Sequence, residues 1–71
     1  MSPIAILGAG NMASALALNL ARHHIPVRLY CIEPDVEEDI NTHHRNQKYL
    51  TGIELPSNII ASGDINIVLQ D

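Results

Sequence analysis

Aromatic side chains are nearly absent from this sequence of 71 residues, which has two tyrosines and neither tryptophan nor phenylalanine. A hydrophobic core must therefore be built from isoleucine, leucine, valine and alanine, a composition typical of helices packed on a parallel sheet. The chain is also short, because single domains cluster near about 100–150 residues. We therefore expect one small α/β unit and exclude a complete two-domain enzyme within these residues.

Cysteine and basic residues are scarce as well. The single cysteine, Cys31, excludes an internal disulfide bond and is compatible with a reducing cytoplasm, where we expect the protein. Four scattered Lys and Arg residues stand against eight Asp and Glu residues, so no nucleic-acid surface is predicted. The apolar N-terminal stretch lacks a basic leading segment and is interrupted by Gly8, Gly10 and Asn11, which argues against a secretory signal and a membrane segment.

Three apolar runs predict β-strands, and an alanine- and leucine-rich run between the first two predicts a helix. Ile4–Leu7 has no polar alternation, which is the pattern of a strand buried on both faces of a parallel sheet. The helix is predicted to end near residues 22–23. Its predicted apolar face consists of Met12, Ala13, Leu16, Ala17 and Leu20. Residues 27–32 and 59–61 are the second and third predicted strands, which gives a βαβ unit.

The second half of the chain has weaker patterns. Pro34 suits the first position of an acidic helical turn at residues 36–40, and residues 41–47 are predicted to fray into a loop. Residues 49–56 combine apolar side chains with glycine and proline, which predicts an ordered, packed loop. Asp64 is a helix-capping signal, so a final helix is favoured over the strand that alternating apolar residues would also allow.

The glycine-rich turn after the first predicted strand matches a known ligand-binding pattern. Gly8-Ala9-Gly10-Asn11-Met12-Ala13 matches G-x-G-x-x-G/A, the fingerprint of a dinucleotide-binding turn that opens a helix. Gly8 allows the tight turn, Gly10 lacks the Cβ that would collide with a pyrophosphate, and Ala13 is small enough for helix packing. The N-terminal amides of the helix then face the phosphates. We predict a nicotinamide dinucleotide here; the alternative is a strand, turn and helix without a ligand.

Cofactor choice in such folds is set at the end of the second strand. An acidic residue there binds the ribose of NAD, and a basic one binds the extra phosphate of NADP. Cys31 and Ile32 occupy this position and Glu33 follows, so the sequence leaves NAD and NADP open. Glu33 either reaches the ribose or is an exposed turn residue. Tyr49 either forms a wall of the adenosine pocket or anchors a packed loop, and Cys31 is expected to be a small buried hydrophobe.

Two histidine pairs, His23-His24 and His43-His44, raise a metal hypothesis that their spacing does not support. Adjacent residues point to different faces of a helix, and no cysteine or carboxylate cluster repeats at ligand spacing. We therefore expect exposed histidines and no metal site. The acidic run at residues 37–39 is expected to be the solvated start of a helix.

Two parts of the sequence resemble the start of the bacterial NAD(P)-dependent glycerol-3-phosphate dehydrogenases. The first is the fingerprint with the helix and second strand that follow it. The more specific part contains Asn41, Arg45, Asn46, then Tyr49-Leu50-Thr51-Gly52-Ile53-Glu54-Leu55-Pro56-Ser57-Asn58, and finally Ala61 and Asp64. It is similar to the family's N…YLPGI-x-LP-x-N…A…D segment. The resemblance extends over nearly the whole chain but only the first fifth or so of such an enzyme.

The resemblance implies a Rossmann-type dinucleotide-binding unit, truncated to an incomplete doubly wound parallel sheet. Residues 1–71 would form the N-terminal part of the NAD(P)-binding domain, with the substrate domain absent. The implied reaction is reversible hydride transfer between NAD(P)H and dihydroxyacetone phosphate, which gives glycerol 3-phosphate for phospholipid synthesis, in a homodimeric parent enzyme. The family's catalytic lysines lie beyond this chain and Lys48 does not match them, so we expect no catalytic residue here and no turnover by these residues alone.

The sequence departs from the family pattern at three places. Asn11-Met12-Ala13-Ser14 stands where the family usually has Ser-Trp-Gly-Thr or a close variant, and Met12 would fill the space of the aromatic residue. Ile32 stands where many members have an arginine, and Thr51 replaces a common proline. The residues expected to border the cofactor are Gly8, Ala9, Gly10, Asn11, Met12, Ala13, Ile32, Glu33 and Tyr49.

Two alternatives remain at this point. Residues 10–16 also resemble the opening of the pyrroline-5-carboxylate reductases, another NAD(P)H-dependent family with the same first βαβ unit, although that family does not account for residues 49–58. The second alternative is a free-standing nucleotide-binding module without chemistry, which would have to fold and bind the cofactor unaided.

Overall fold

Two small sheets and three helices follow one another in the computed structural model, which describes residues 3–70. The elements in chain order are β1 (Ile4–Leu7), α1 (Asn11–Arg22), β2 (Val27–Tyr30), α2 (Pro34–His43), β3 (Arg45–Asn46), β4 (Leu50–Glu54), β5 (Ile59–Ser62) and α3 (Ile65–Val68). The larger sheet is parallel, with strand order β1-β2-β5, and confirms the predicted βαβ unit and third strand. None of the helices within residues 3–70 is long and apolar enough to span a membrane.

The central strand β2 divides the side chains of this sheet between two faces. Val27 and Leu29 are buried, and their register partners on β1 and β5 lie on the same face. Successive side chains of a strand alternate between the faces. The face of Val27 and Leu29 packs against α1 and α2 in the main core. The other face carries Leu7 and Ile60, which are 70% and 52% exposed.

Strand β1 is not buried on both faces within residues 3–70, although its apolar run is typical of such a strand. Among residues 3–70, β1 pairs only with β2, so it forms an edge of the sheet, and most of its side chains are exposed. Ile60 departs from the same expectation on β5. A continuous apolar run therefore marks two apolar faces, of which the described part of the chain covers one.

Helix α1 begins at the glycine-rich turn and packs through small residues. Gly10 is its N-cap, and Arg22 places a positive charge at the negative end of the helix dipole. The buried face consists of Ser14, Ala17, Leu18 and Ala21, which have the spacing of one helix face. The predicted face is correct at Ala17, which is buried, and at Leu20, which packs against the core, but wrong at Met12 and Leu16, which are 88% and 50% exposed. The small side chains let this helix lie close to the sheet.

Helix α2 starts at Pro34 as predicted but continues past residues 36–40 to His43, so the loop predicted from Asn41 onward is wrong in its first part. Asn41 lies on this extension and closes the outer edge of β5. Its side-chain amide donates to the Ala61 carbonyl at 2.7 Å and accepts from the Ala61 N–H at 2.8 Å. These two bonds satisfy backbone groups that an edge strand would otherwise leave unpaired.

Residues 45–54 form an antiparallel β-hairpin of β3 and β4, called the hairpin below, where the sequence predicted a loop. The predicted packing is confirmed, because Tyr49 and Ile53 are partly buried against the core and Leu55, just after β4, is fully buried. The hairpin is attached to α2 through Asp39, whose carboxylate accepts hydrogen bonds from the Arg45 guanidinium at 2.8 Å and from the backbone N–H of Gln47 at 3.0 Å.

The predicted final helix is confirmed. The Asp64 side chain accepts a hydrogen bond from the backbone N–H of Asn66 at 2.9 Å, which caps α3. At the other end of α3, Arg28 of β2 donates to the carbonyls of Ile67 and Gln70. This contact places a positive charge at the negative end of the helix and attaches α3 to the sheet.

Candidate functional site

A cleft of about 460 Å³ opens where β1 and β2 end and α1 begins. Its volume is ordinary for a small-molecule site, and parallel sheets bind ligands outside the carboxyl ends of their strands. The lining residues are Leu7, Gly8, Ala9, Tyr30, Cys31, Ile32, Glu33 and Ile65. The cleft thus joins the glycine-rich turn to the end of the second strand, the two regions that the sequence singled out.

Gly8 is required by the backbone. Its φ is 126°, where an L side chain is strained, and its N–H donates to the Tyr30 carbonyl at 2.9 Å. This bond ties the turn to β2. The chain's own geometry therefore accounts for glycine at position 8.

Gly10 has no such requirement. Its φ of −75° and ψ of −170° are open to any residue, and a Cβ built on it would meet no heavy atom within 4 Å. Serine or aspartate would be a better N-cap. A glycine that the chain does not need leaves space for a group from outside the chain. The first-turn amides of α1 and the positive end of its dipole adjoin this space, so the residues present fit a pyrophosphate.

Asn46 fixes the glycine-rich turn from the hairpin. Its Nδ2 donates to the Ala9 carbonyl at 3.0 Å and to Ser14 Oγ at 2.8 Å, and Ser14 Oγ donates to the same carbonyl at 3.0 Å. Asn46 and Ser14 are 0% and 1% exposed, so these polar groups satisfy one another away from water. The conformation of the turn thus depends on the hairpin.

Glu33 is the N-cap residue of α2 and lines the cleft. Its Oε2 accepts a hydrogen bond from the Tyr49 hydroxyl at 2.8 Å, and its Oε1 forms an ion pair with Lys48 Nζ. The bond from Lys48 lowers the pKa of Glu33, and the same bond raises the pKa of Lys48. Glu33 is therefore an ionised carboxylate held by the hairpin, and Tyr49 serves as its hydrogen-bond donor.

The structure distributes the predicted cofactor residues unevenly. Those that line the cleft are Gly8, Ala9, Ile32 and Glu33. Gly10 adjoins it at the N-cap of α1, and Tyr49 reaches it through Glu33. Asn11, Met12 and Ala13 begin α1 without lining the cleft. Met12 projects into solvent in this fold, and Ser14 makes the fully buried contact in the first turn of α1.

Three further residues belong to the site but were not predicted to do so from the sequence: Ser14, Asn46 and Lys48. Ser14 had a detectable signal, because it heads the helical spacing 14, 17, 18 and 21, and a polar residue on a buried face needs a partner. Asn46 belonged to the segment that carried the family resemblance. Lys48 had no signal, since its contact with Glu33 arises from the hairpin, which was not predicted.

The cysteine and histidine residues take the places expected of them. Cys31 is buried, and burial raises the pKa of its thiol, so it is an unreactive hydrophobe at neutral pH. The histidine pairs at residues 23–24 and 43–44 are exposed at helix ends. Within residues 3–70, no three His, Cys, Asp or Glu side chains are placed to hold a metal ion.

Comparisons with known proteins agree with this geometry. The family described as NAD-dependent glycerol-3-phosphate dehydrogenase N-terminus matches residues 3–71. The chain belongs to this family. Over all 71 residues it is 41% identical to the glycerol-3-phosphate dehydrogenase (NAD(P)+) of Bacillus cytotoxicus and 41% identical to that of Bacillus cereus strain B4264. It covers 21% of the length of each.

Solved structures of glycerol-3-phosphate dehydrogenases share the fold. The enzyme from Coxiella burnetii superposes with a TM-score of 0.87 at 40% identity, over 96% of this chain and 21% of its own. The enzyme from Plasmodium falciparum superposes with a TM-score of 0.77 at 35% identity, over 97% of this chain and 22% of its own. The predicted family and the truncated Rossmann-type fold are confirmed, and the pyrroline-5-carboxylate reductase alternative is set aside. The chain spans about one fifth of the length of these relatives.

Proposed function

We propose that residues 1–71 form the N-terminal part of an NAD(P)-binding Rossmann domain and bind the adenosine and pyrophosphate portion of NAD or NADP. The observation that carries this proposal is Gly10, an N-cap glycine with an unstrained φ and open space where its Cβ would lie. Membership of the dehydrogenase family supports the same assignment.

Each part of the site has a binding role in this proposal. The turn of Gly8, Ala9 and Gly10 admits the pyrophosphate, and the amides of Asn11, Met12 and Ala13 at the start of α1 donate to it. Ile32 covers the adenosine, and Glu33 accepts a hydrogen bond from a ribose hydroxyl. Tyr49 holds Glu33 in position.

The larger activity we propose is that of a glycerol-3-phosphate dehydrogenase, in which dihydroxyacetone phosphate and NAD(P)H interconvert with glycerol 3-phosphate and NAD(P)+. The dinucleotide supplies the hydride, and this chain's residues bind and orient the adenosine side. We assign no catalytic group to the chain. We further propose a cytoplasmic, homodimeric parent enzyme that supplies a phospholipid precursor and has no nucleic-acid or membrane partner.

Calorimetric titration of the full chain with NAD+ and NADH tests cofactor binding. Gly10→Ala and Gly10→Ser should each weaken binding at least about tenfold, because the new Cβ enters the pyrophosphate space. The fold should tolerate both changes, and Gly10→Ser should unfold at the same or a higher temperature, because serine is the better N-cap. A wild-type chain that binds neither form, or a Gly10→Ser variant that binds as well as the wild type, would contradict the proposal.

A further inference from the structure

The end of β2 carries a carboxylate and an ammonium group joined to each other. Glu33 lines the cleft, and Lys48 reaches its Oε1 from the turn of the hairpin. The Tyr49 hydroxyl donates to Oε2, and the Lys48 ammonium lies 5.6 Å from the centre of the Tyr49 ring. Both oxygens of the carboxylate are thus contacted by neighbouring residues of one element.

Of the Lys and Arg residues in the chain, Lys48 is the one whose side chain lies beside Glu33 at this end of the cleft. Arg28 is bonded to carbonyls at the C-terminal end of α3, and Arg45 is paired with Asp39. Arg22 lies in the last turn of α1, and these four are all the Lys and Arg residues of the sequence. A negatively charged group entering the adenosine side of the cleft therefore meets Glu33 and Lys48 together.

The two charges favour different cofactors. A carboxylate at this position accepts a hydrogen bond from the ribose 2′-hydroxyl of NAD, whereas a cation pairs with the 2′-phosphate of NADP. The side chains of Lys48 and Glu33 are 49% and 33% exposed. Lysine carries its charge on a flexible stem, so the ammonium can turn toward a phosphate while Tyr49 keeps Glu33 in place.

Resting on the proposed function, we propose that Lys48 is a specificity-determining residue that lets this site bind NADPH as well as NADH. With NADH, Glu33 accepts from the ribose 2′-hydroxyl while Lys48 stays on Oε1. With NADPH, Lys48 pairs with the 2′-phosphate and offsets the repulsion from Glu33. The cation for the 2′-phosphate thus comes from the hairpin. The end of β2 does not supply it, because the residue after Cys31 there is the apolar Ile32.

The test is calorimetric titration of the full chain with NADH and NADPH, and with AMP and adenosine 2′,5′-bisphosphate as probes of the adenosine half. The wild-type chain should bind NADH and NADPH with affinities within about fivefold of each other. Lys48→Met should weaken NADPH and bisphosphate binding about tenfold and change NADH and AMP binding less than about threefold. Lys48→Arg should keep the wild-type ratio of the two affinities, because it keeps the cation.

Tyr49→Phe is the matched control at the same carboxylate. It removes one hydrogen bond to Glu33 without changing charge. Because Glu33 accepts a hydrogen bond from NADH and repels the 2′-phosphate of NADPH, this variant should weaken NADH binding and leave NADPH binding nearly unchanged, the opposite of Lys48→Met. Thermal unfolding of each variant reports on the fold separately. An NADPH-to-NADH affinity ratio that Lys48→Met leaves unchanged, or that Tyr49→Phe lowers as much as Lys48→Met does, would overturn the inference while leaving the proposed function intact. A wild-type chain that binds neither cofactor would overturn both.

Discussion

At the scale of single residues, the two glycines of the glycine-rich turn have different explanations, one in the backbone conformation and one in the space for a ligand. Gly8 is needed because its φ is positive, and Gly10 is explained by the space beside it rather than by the chain. The carbonyl between them belongs to Ala9, and two buried side chains, Ser14 and Asn46, donate to it. The fingerprint alone therefore does not determine the turn, because a residue outside it fixes the central carbonyl.

We expect Asn46→Ala to lower the free energy of unfolding by about 2–3 kcal/mol. The substitution removes two hydrogen bonds from Nδ2 and leaves Ser14 Oγ buried without that donor. Urea denaturation followed by circular dichroism measures the loss. Asn19→Ala is the matched control, because Asn19 is exposed on α1, and it should change stability by less than about 0.5 kcal/mol. An Asn46→Ala chain as stable as this control would show that the buried network does not hold the turn.

At the scale of elements, the sequence predicted those with strong local signals. The apolar run of β1, the alanine- and leucine-rich α1, and the Asp64 cap of α3 were all located correctly. The hairpin was missed because β3 has only two residues and is defined by its pairing with β4, which is not a local property. The missed contacts at Glu33 and Ala9 follow from this, since the hairpin brings their partners to the site.

Attachment of the hairpin should depend on pH through two carboxylates. Hydrogen bonds from the backbone N–H of Gln47 and from the Arg45 guanidinium lower the pKa of Asp39. The hydrogen bond from the Lys48 side chain lowers the pKa of Glu33. Both values are lower in the folded than in the unfolded chain. Their stabilising effect is therefore complete above the unfolded pKa of about 4 and is lost as the pH falls through the folded pKa values.

We therefore expect the free energy of unfolding to decrease as the pH falls below about 4. Urea titrations at a series of pH values measure this dependence. Asp39→Asn and Glu33→Gln should each flatten it, and the double variant should flatten it most, because the amides do not titrate in this range. A double variant with the wild-type pH dependence would place the acid sensitivity outside the hairpin.

At the scale of the whole molecule, the two faces of the parallel sheet differ sharply. One face packs against α1 and α2, whereas the other carries Arg28, which bonds to the end of α3, and leaves Leu7 and Ile60 largely exposed within residues 3–70. Leu7 also lies on the edge strand β1. Exposed apolar area beside a strand edge favours association with other chains.

We predict that the chain self-associates through this face across the concentration range of a sedimentation-equilibrium experiment. Leu7→Lys should shift the sedimentation equilibrium toward monomer, because a charge on the edge strand opposes both apolar contact and strand pairing. Ser57→Lys adds the same charge at an exposed loop position after β4 and should leave the equilibrium unchanged. If the two lysine variants sediment alike, or the wild-type chain is a monomer throughout this range, the uncovered sheet face does not drive association.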